Sequence, residues 1–168
     1  MMKKSDRNSL SFYRNVNVHG TINLAKQAAV NGVKRLIFLS SVKVNGERTS
    51  KFSSFNNHNI PNPEDAYGIS KCEAEQALWK ISKETGLEVV IIRAPLVYGK
   101  GVKGNLANLM RLINSGIPLP LNSIKNQRSL IGIDNLVDIL IRCIGHQDSA
   151  GKTFLVSDGV DLSTPDLI

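Results

Sequence analysis

Apolar residues recur along the chain at two spacings, and these spacings predict alternating helices and strands. The runs at 35–40 and 88–93 are short and continuously apolar, which is typical of buried parallel strands. Residues 13–31 instead have apolar side chains three or four positions apart, which indicates a helix ending at Asn31-Gly32: Val18, Ile22, Ala25 and Ala29.

The remaining pattern completes an α/β chain. A polar loop at 45–65 precedes a second helix that runs from Tyr67 to about Thr85 and ends at Gly86. Further helices are predicted at 105–115 and 135–144, strands at 129–133 and 153–156, and a helix start at Ser163 or Thr164. A strand, a long crossover with a helix and another strand predict a parallel sheet with right-handed connections.

Composition limits the classes of protein to consider. The chain has 168 residues, 42% of them hydrophobic and 21% charged, which is ordinary for one soluble domain. We find no apolar run near the 18 or so residues of a membrane span and no signal peptide, so we expect a cytoplasmic protein without membrane partners. Cys72 and Cys143 lack the spacing of metal ligands, and we interpret them as reduced thiols.

The net charge of +7 suits an anionic partner, but its distribution does not favour nucleic acid. Basic residues are scattered, with Lys34-Arg35 the only adjacent pair after Lys3-Lys4, and aromatic residues make up only 5% of the chain. A phosphorylated small molecule needs only one or two well-placed cations. We therefore expect a small anionic substrate and no nucleic acid.

Tyr67 and Lys71 are the leading candidates for chemistry. Residues four apart lie on one face of a helix, so the phenol and the ammonium are expected side by side. A nearby cation favours the phenolate, which can take a proton from a substrate hydroxyl. The spacing alone leaves a second interpretation open, an exposed pair on a solvated helix.

Five segments follow one another along the chain: Asn17-Val18-His19-Gly20-Thr21, Phe38-Leu39-Ser40-Ser41, Tyr67 with Lys71, Arg93-Ala94-Pro95-Leu96-Val97-Tyr98-Gly99, and Arg128-Ser129-Leu130 followed by Asp134-Asn135-Leu136-Val137-Asp138. Together they resemble the extended short-chain dehydrogenase/reductase family, the NAD-dependent nucleotide-sugar epimerases and dehydratases. The resemblance covers about residues 12–168 and is to UDP-glucose 4-epimerase-like members.

The resemblance implies a role for each matched residue. Ser41, Tyr67 and Lys71 are expected to be catalytic, with Tyr67 as acid and base, Lys71 on the nicotinamide ribose and Ser41 on the reacting sugar hydroxyl. The residues expected to bind the cofactor NAD are Asn17, Ser40, Tyr67, Lys71 and Pro95. Besides Ser41, Asn105 and Arg128 are expected to bind the nucleotide-sugar substrate, and no metal is expected. A helix N-cap remains an equal alternative for Asn105. A polar strand end remains open as the less favoured alternative for Ser40 and Ser41.

Some features depart from the family pattern. Asn45 stands where the family often has Tyr, and Leu96 where it often has Asn, near the expected sugar pocket. The glycine-rich stretch Gly99-Lys100-Gly101-Val102-Lys103-Gly104 follows a strand but lies late in the chain and between the wrong elements, so we interpret it as a loop. We expect the first four strands and the pyrophosphate-binding turn upstream of Met1.

The sequence therefore predicts an α/β fragment, with part of a Rossmann-like parallel sheet at 12–100 and part of a small substrate-binding subdomain at 101–150. Residues 151–168 are expected to hold a last strand and the start of a C-terminal segment. The favoured function is epimerisation of a nucleotide-diphosphate sugar with NAD. A homodimer is the candidate assembly. Three alternatives remain: a nucleotide 4-keto-sugar reductase, a dehydratase, which the absence of Asp-Glu beside Ser41 disfavours, and a non-catalytic binding module.

Overall fold

The computed structural model describes residues 4–50, 53–102, 105–116 and 124–167. The chain divides into two compact units, one formed by residues 1–93 and 140–155 and the other by residues 94–139 and 156–168. No helix in the described ranges is long and apolar enough to cross a membrane.

The helices and strands follow one another in a mixed α/β order. The helices are α1 (Lys4–Tyr13), a π-helix (Arg14–Gly20), α2 (Thr21–Val30), α3 (Ala66–Thr85), α4 (Asn105–Asn114) and α5 (Ile133–Gly145). Short 3-10 turns lie at Val42–Val44, Gln147–Ser149 and Pro165–Leu167. The strands are β1 (Arg35–Ser41), β2 (Glu88–Ala94), β3 (Leu96–Tyr98), β4 (Arg128–Gly132), β5 (Lys152–Leu155) and β6 (Asp161–Leu162).

The first unit is built around a three-stranded sheet in the order β1-β2-β5. β2 and β5 are parallel, with Ile91 opposite Thr153 and Ile92 opposite Phe154. β2 is buried over nearly its whole length, as its continuous apolar run predicts. The predicted α/β class with a parallel sheet is confirmed.

The core of this unit forms where α2 and α3 pack against the sheet. Its buried side chains come from the helices, from the strands and from the link between α3 and β2: Ala25, Phe38, Ala74, Leu78, Ile81, Leu87, Val89 and Ile91. The helical spacing places one face of each helix on the sheet, and this packing holds α3 alongside β1 and β2.

The first helical region differs from its prediction. The pattern predicts one helix at 13–31, whereas the chain is already helical from Lys4 and changes to a π-helix at Arg14–Gly20. The predicted end is confirmed, because α2 stops at Val30 and Gly32 follows with a φ of 71°.

α3 has well-defined ends. Asp65 precedes it in an extended conformation, and its side chain accepts a hydrogen bond from the Gly68 amide. Gly86 ends the helix with a φ of 77°, a left-handed conformation that favours glycine. The helix predicted at 67–85 is thereby confirmed to within one residue.

The second unit contains β3, β4 and β6. β3 and β4 are parallel, and β4 and β6 are antiparallel. The carboxylate of Asp158 joins its parts, because it accepts hydrogen bonds from the Tyr98 hydroxyl, the Gly132 amide and the Asn135 side chain. The pattern missed β3 and β6, and the expected helix start near Ser163 is only the 3-10 turn Pro165–Leu167.

The glycine-rich stretch after β3 begins as a turn, as predicted, with Val102 N donating to Gly99 O at 3.2 Å. Residues 103 and 104 lie outside the described ranges. A Cβ at Gly99 would lie 2.5 Å from Cγ2 of Ile133, so close packing against α5 requires glycine there. This explains Gly99 without a ligand.

Candidate active site

Tyr67 lies in the first turn of α3, and its phenol is half-buried. The Tyr13 ring packs edge-on against the Tyr67 ring, with centroids 5.6 Å apart. Burial raises the pKa of Tyr67, the Asp65 carboxylate and Tyr13 raise it further, and the Lys43 ammonium acts in the opposite direction. Near neutral pH the chain therefore holds Tyr67 as a phenol, a proton donor, and added positive charge would be needed to make it an acceptor.

Lys71 lies one turn after Tyr67, on the same side of α3. Its Nζ donates to the Leu39 carbonyl at 2.9 Å and lies 5.9 Å from the centre of the Tyr67 ring and 4.5 Å from that of Phe38. Burial lowers the pKa of Lys71, while Glu75 opposes that shift. The predicted pairing of ammonium and phenol on one helix face is thus present, but the expected effect of Lys71 on Tyr67 ionisation stays a prediction.

Ser41 is the last residue of β1, and its Oγ accepts a hydrogen bond from the Lys43 amide at 3.3 Å. This contact starts the 3-10 turn Val42–Val44, so the Ser41 side chain is held at the strand end. Ser40, expected on the cofactor side, is buried and donates to Oε1 of Glu75. The functional roles of both serines stay predictions.

Asn17 lies in the π-helix and contacts α3 rather than Tyr67 itself. Its Nδ2 donates to Ser70 Oγ at 2.9 Å, and Ser70 Oγ donates to the Tyr67 carbonyl at 2.8 Å. One turn further along α3, Arg14 forms an ion pair with Glu73. The π-helix therefore supports the backbone that carries Tyr67, and π-helical turns often occur at functional sites.

Glu75 and Arg93 form a buried ion pair that the sequence reasoning missed. Arg93 Nη2 lies 2.6 Å from Glu75 Oε2, and both side chains are at most 6% exposed. Arg93 Nη1 donates to Asn45 Oδ1, and Asn45 Nδ2 donates to the Asn56 carbonyl of the polar loop. A signal existed for Arg93, because it follows the apolar run Val89-Val90-Ile91-Ile92 of β2 and such a charge is rarely buried without a partner.

The hydrogen bonds that join Glu75, Arg93, Asn45 and the Asn56 carbonyl explain why an asparagine stands at position 45. Asn45 is buried, and its side-chain amide accepts a hydrogen bond from Arg93 and donates one to the loop. The position where the family often has Tyr thus connects the turn after Ser41 to β2. Leu96, the other departure, is half-buried in β3 and pairs with Leu130.

The other predicted site residues belong to the second unit. Pro95 lies between β2 and β3, and Arg128 is the exposed first residue of β4. Asn105 is the first residue of α4, and its side chain lies outside the described part. Within the described residues, no group of three His, Cys, Asp or Glu side chains could hold a metal ion.

Comparisons with known proteins agree with this arrangement of segments. The model of the NAD dependent epimerase/dehydratase family matches residues 3–157. The UDP-glucose 4-epimerase of Vibrio cholerae is 52% identical over 169 residues, which cover 100% of this chain and 52% of that protein. The N-acetyl-alpha-D-glucosaminyl-diphospho-ditrans,octacis-undecaprenol 4-epimerase of Escherichia coli O157:H7 is 30% identical over 98% of this chain and 50% of that protein.

Solved structures agree at the level of the fold. The crystal structure of UDP-glucose 4-epimerase from Thermotoga maritima, with UDP-glucose, has a TM-score of 0.82 and 24% identity, and the match covers 97% of this chain and 54% of that one. The chain therefore spans about half the length of the curated relatives and of the solved structure that it matches.

Proposed function

Because this chain belongs to the NAD dependent epimerase/dehydratase family, we propose that it supplies Ser41, Tyr67 and Lys71 to an enzyme that inverts C4 of a UDP-hexose through a transient 4-keto sugar. The observation that carries the proposal is the identity to the Vibrio cholerae relative over the whole chain. Since the match covers only about half of that relative, we propose the activity for a complete catalytic unit that contains these residues.

The residues around Tyr67 fit the ribose side of NAD. A lysine ammonium has three N–H donors, and the bond from Lys71 to Leu39 O uses one of them. The others can serve ribose hydroxyls placed beside Tyr67. We propose Asn17 and Pro95 as further residues on the cofactor side, and Ser40 through its backbone, because its hydroxyl donates to Glu75.

Tyr67 and Ser41 are the proposed residues for transfer of the proton of the sugar 4-hydroxyl. Ser41 Oγ is proposed to hydrogen-bond the sugar 4-hydroxyl, and Tyr67 to take its proton and later return it. NAD supplies acceptance and return of a hydride at the same carbon. The positive charge of the bound cofactor and of Lys71 would counteract the burial and the Asp65 carboxylate that raise the pKa of Tyr67.

Arg128 and Asn105 are proposed for the substrate diphosphate and nucleoside. Arg128 is exposed at the start of β4, and a guanidinium can hold a phosphate with two hydrogen bonds. The pyrophosphate of the cofactor needs a glycine-rich turn at a helix N-terminus. We assign no turn of this chain to it, because packing against Ile133 explains Gly99.

A chimera tests the proposal. It joins this chain to the half of the Vibrio cholerae relative that this chain does not match. We expect it to convert UDP-glucose to UDP-galactose in the presence of NAD, with product measured by anion-exchange chromatography. The Tyr67→Phe chimera should be about 10²–10⁴-fold slower, the usual contribution of a general acid and base.

Two lysine variants serve as a matched pair. Lys71→Met should abolish most activity, whereas Lys80→Met, which removes only an exposed pair with Glu84 on the same helix, should not. A folded chimera that binds NADH but converts no UDP-hexose would contradict the proposal. Stoichiometric oxidation of NADH with a 4-keto sugar would instead indicate a reductase.

A further inference from the structure

The turn after Ser41 is held against the first turn of α3 through Lys43. The Lys43 amide donates to Ser41 Oγ, and Lys43 Nζ lies 2.5 Å from Oδ2 of Asp65. Asp65 is the N-cap of α3, because its Oδ1 accepts from the Gly68 amide at 2.6 Å. Through its backbone amide and its ammonium group, Lys43 therefore connects Ser41, at the end of β1, to the helix that carries Tyr67.

The backbone makes the same connection. A Cβ at Gly68 would lie 2.9 Å from the Lys43 carbonyl oxygen and 3.1 Å from Asp65 Oδ1. Distances below about 3 Å to backbone atoms are not tolerated without a shift. Gly68, next to Tyr67, thus permits α3 to approach the 3-10 turn Val42–Val44 closely. The position of Tyr67 therefore depends on that turn.

Titratable groups of both charge types face Tyr67 from the elements around it. Asp65 lies at the helix cap, Tyr13 at the end of α1, Lys71 one turn along α3, and Lys43 in the turn after β1. Asp65 and Tyr13 disfavour the phenolate, whereas Lys43 favours it. Lys43 also forms an ion pair with Glu47 at 2.8 Å, so its ammonium has carboxylates on two segments.

We propose that Lys43 is a positioning residue, which sets the Ser41 turn against the first turn of α3 and neutralises the Asp65 carboxylate beside Tyr67. The resemblance to the family assigned no role to this residue. The inference deepens the proposed function because it concerns the same serine and tyrosine. It also predicts a physical property of the chain alone, so it can fail or succeed independently of the proposed reaction.

The test follows the titration of Tyr67 by NMR of the chain with ¹³C-labelled tyrosine rings, without cofactor or substrate. The chain has three tyrosines, and Tyr13→Phe and Tyr98→Phe assign their signals. Lys43→Met should raise the pKa of Tyr67 above its wild-type value, and Lys43→Arg should restore it. Lys80→Met, the matched loss of an exposed lysine on α3, should leave the titration unchanged.

The acid range gives a second readout. Partial burial pushes the pKa of Asp65 upward, but hydrogen bonds from Lys43 and the Gly68 amide and the Lys43 charge outweigh it and hold that pKa below its ordinary value. Lys43→Met should therefore raise the pKa of Asp65, measured from its ¹³Cγ shift. If Lys43→Met does not fold, Asp65→Asn, which keeps a capping oxygen, should lower the pKa of Tyr67.

The outcomes separate positioning from a merely structural role. A loss of stability in urea with an unchanged Tyr67 titration in Lys43→Met would overturn the proposal, and so would an unchanged titration in Asp65→Asn if that variant is needed. A shifted titration that Lys43→Arg reverses supports it, even if the chimera proves inactive and the proposed reaction is wrong.

Discussion

Glu75 shows how one buried charge can organise the residues around a proposed active site. Its carboxylate accepts from Ser40 and from Arg93, so it contacts both β1 and β2 from its place on α3. Ser40 precedes Ser41, and Glu75 lies one turn after Lys71. The ion pair therefore fixes the strand end and the helix that carry the three proposed catalytic residues.

Removing one charge of this pair should be costly. Glu75→Gln leaves the Arg93 guanidinium buried and uncompensated, and we expect a loss of about 3–5 kcal/mol in the free energy of unfolding. Urea denaturation followed by circular dichroism measures it. Glu84→Gln, which removes the carboxylate of an exposed pair, should cost less than about 1 kcal/mol. An equal loss of unfolding free energy in Glu75→Gln and Glu84→Gln would show that burial of the Glu75–Arg93 pair does not increase its contribution to stability.

At the scale of single residues, the sequence identifies candidates for catalysis more readily than it identifies the side chains that position them. Tyr67 and Lys71 are expected on one helix face because of their four-residue spacing, and the family resemblance, rather than the spacing, makes them candidates for catalysis. Lys43 and Asp65 are not found, because their contact joins residues on two elements, 22 positions apart, and depends on the path of the loop between them. The capping role of Asp65 alone was accessible, since Asp is among the residues preferred immediately before the first turn of a helix.

Among the helices of the first unit, α3 is the best predicted and the first helical region the least. Both ends of α3 are marked by residues with strong local preferences, Asp65 and Gly86. The π-helix at Arg14–Gly20 has no such signal, because its apolar residues fit an α-helical pattern equally well. β3 was missed because Pro95 marks a stop, whereas the chain resumes as a strand one residue later in another sheet.

The cap of α3 predicts how stability depends on pH. Because the folded pKa of Asp65 lies below its value in the unfolded chain, its contribution is complete above about pH 4 and is lost as pH falls through the folded pKa. The Asp65 side chain is 40% exposed, so solvent limits the size of the effect. Between pH 5 and 3, the urea midpoint should fall less in Asp65→Asn than in the wild type. Parallel curves would contradict this.

For the molecule as a whole, the first unit presents apolar side chains to solvent. Phe12, Val16, Leu24 and Val30 on its first helical segments are each more than half exposed, and β1 is an edge strand of the described sheet with Leu39 42% exposed. Such surface favours association with another polypeptide.

We therefore expect the isolated chain to self-associate as its concentration rises. The variant Leu24→Glu, Val30→Glu should reduce this association by placing charge on the exposed apolar segment, as measured by sedimentation velocity. Ile60→Glu, which changes an exposed residue of the polar loop, is the control and should sediment like the wild type. A wild-type chain that stays monomeric at every concentration would refute the expectation.

The first unit is formed by two separate stretches of the chain, 1–93 and 140–155, and this has a consequence during synthesis. Its sheet needs β5, and the Arg35 guanidinium needs the carbonyls of Cys143, Ile144 and His146 as hydrogen-bond acceptors. The three carbonyls are synthesised about fifty residues after Arg93, and β5 is synthesised about sixty residues after it. At about 5–20 residues per second, β2 waits roughly 3–12 seconds for its neighbour. A nascent chain stalled in that interval has an open sheet edge beside β2, which makes it a natural client for chaperones.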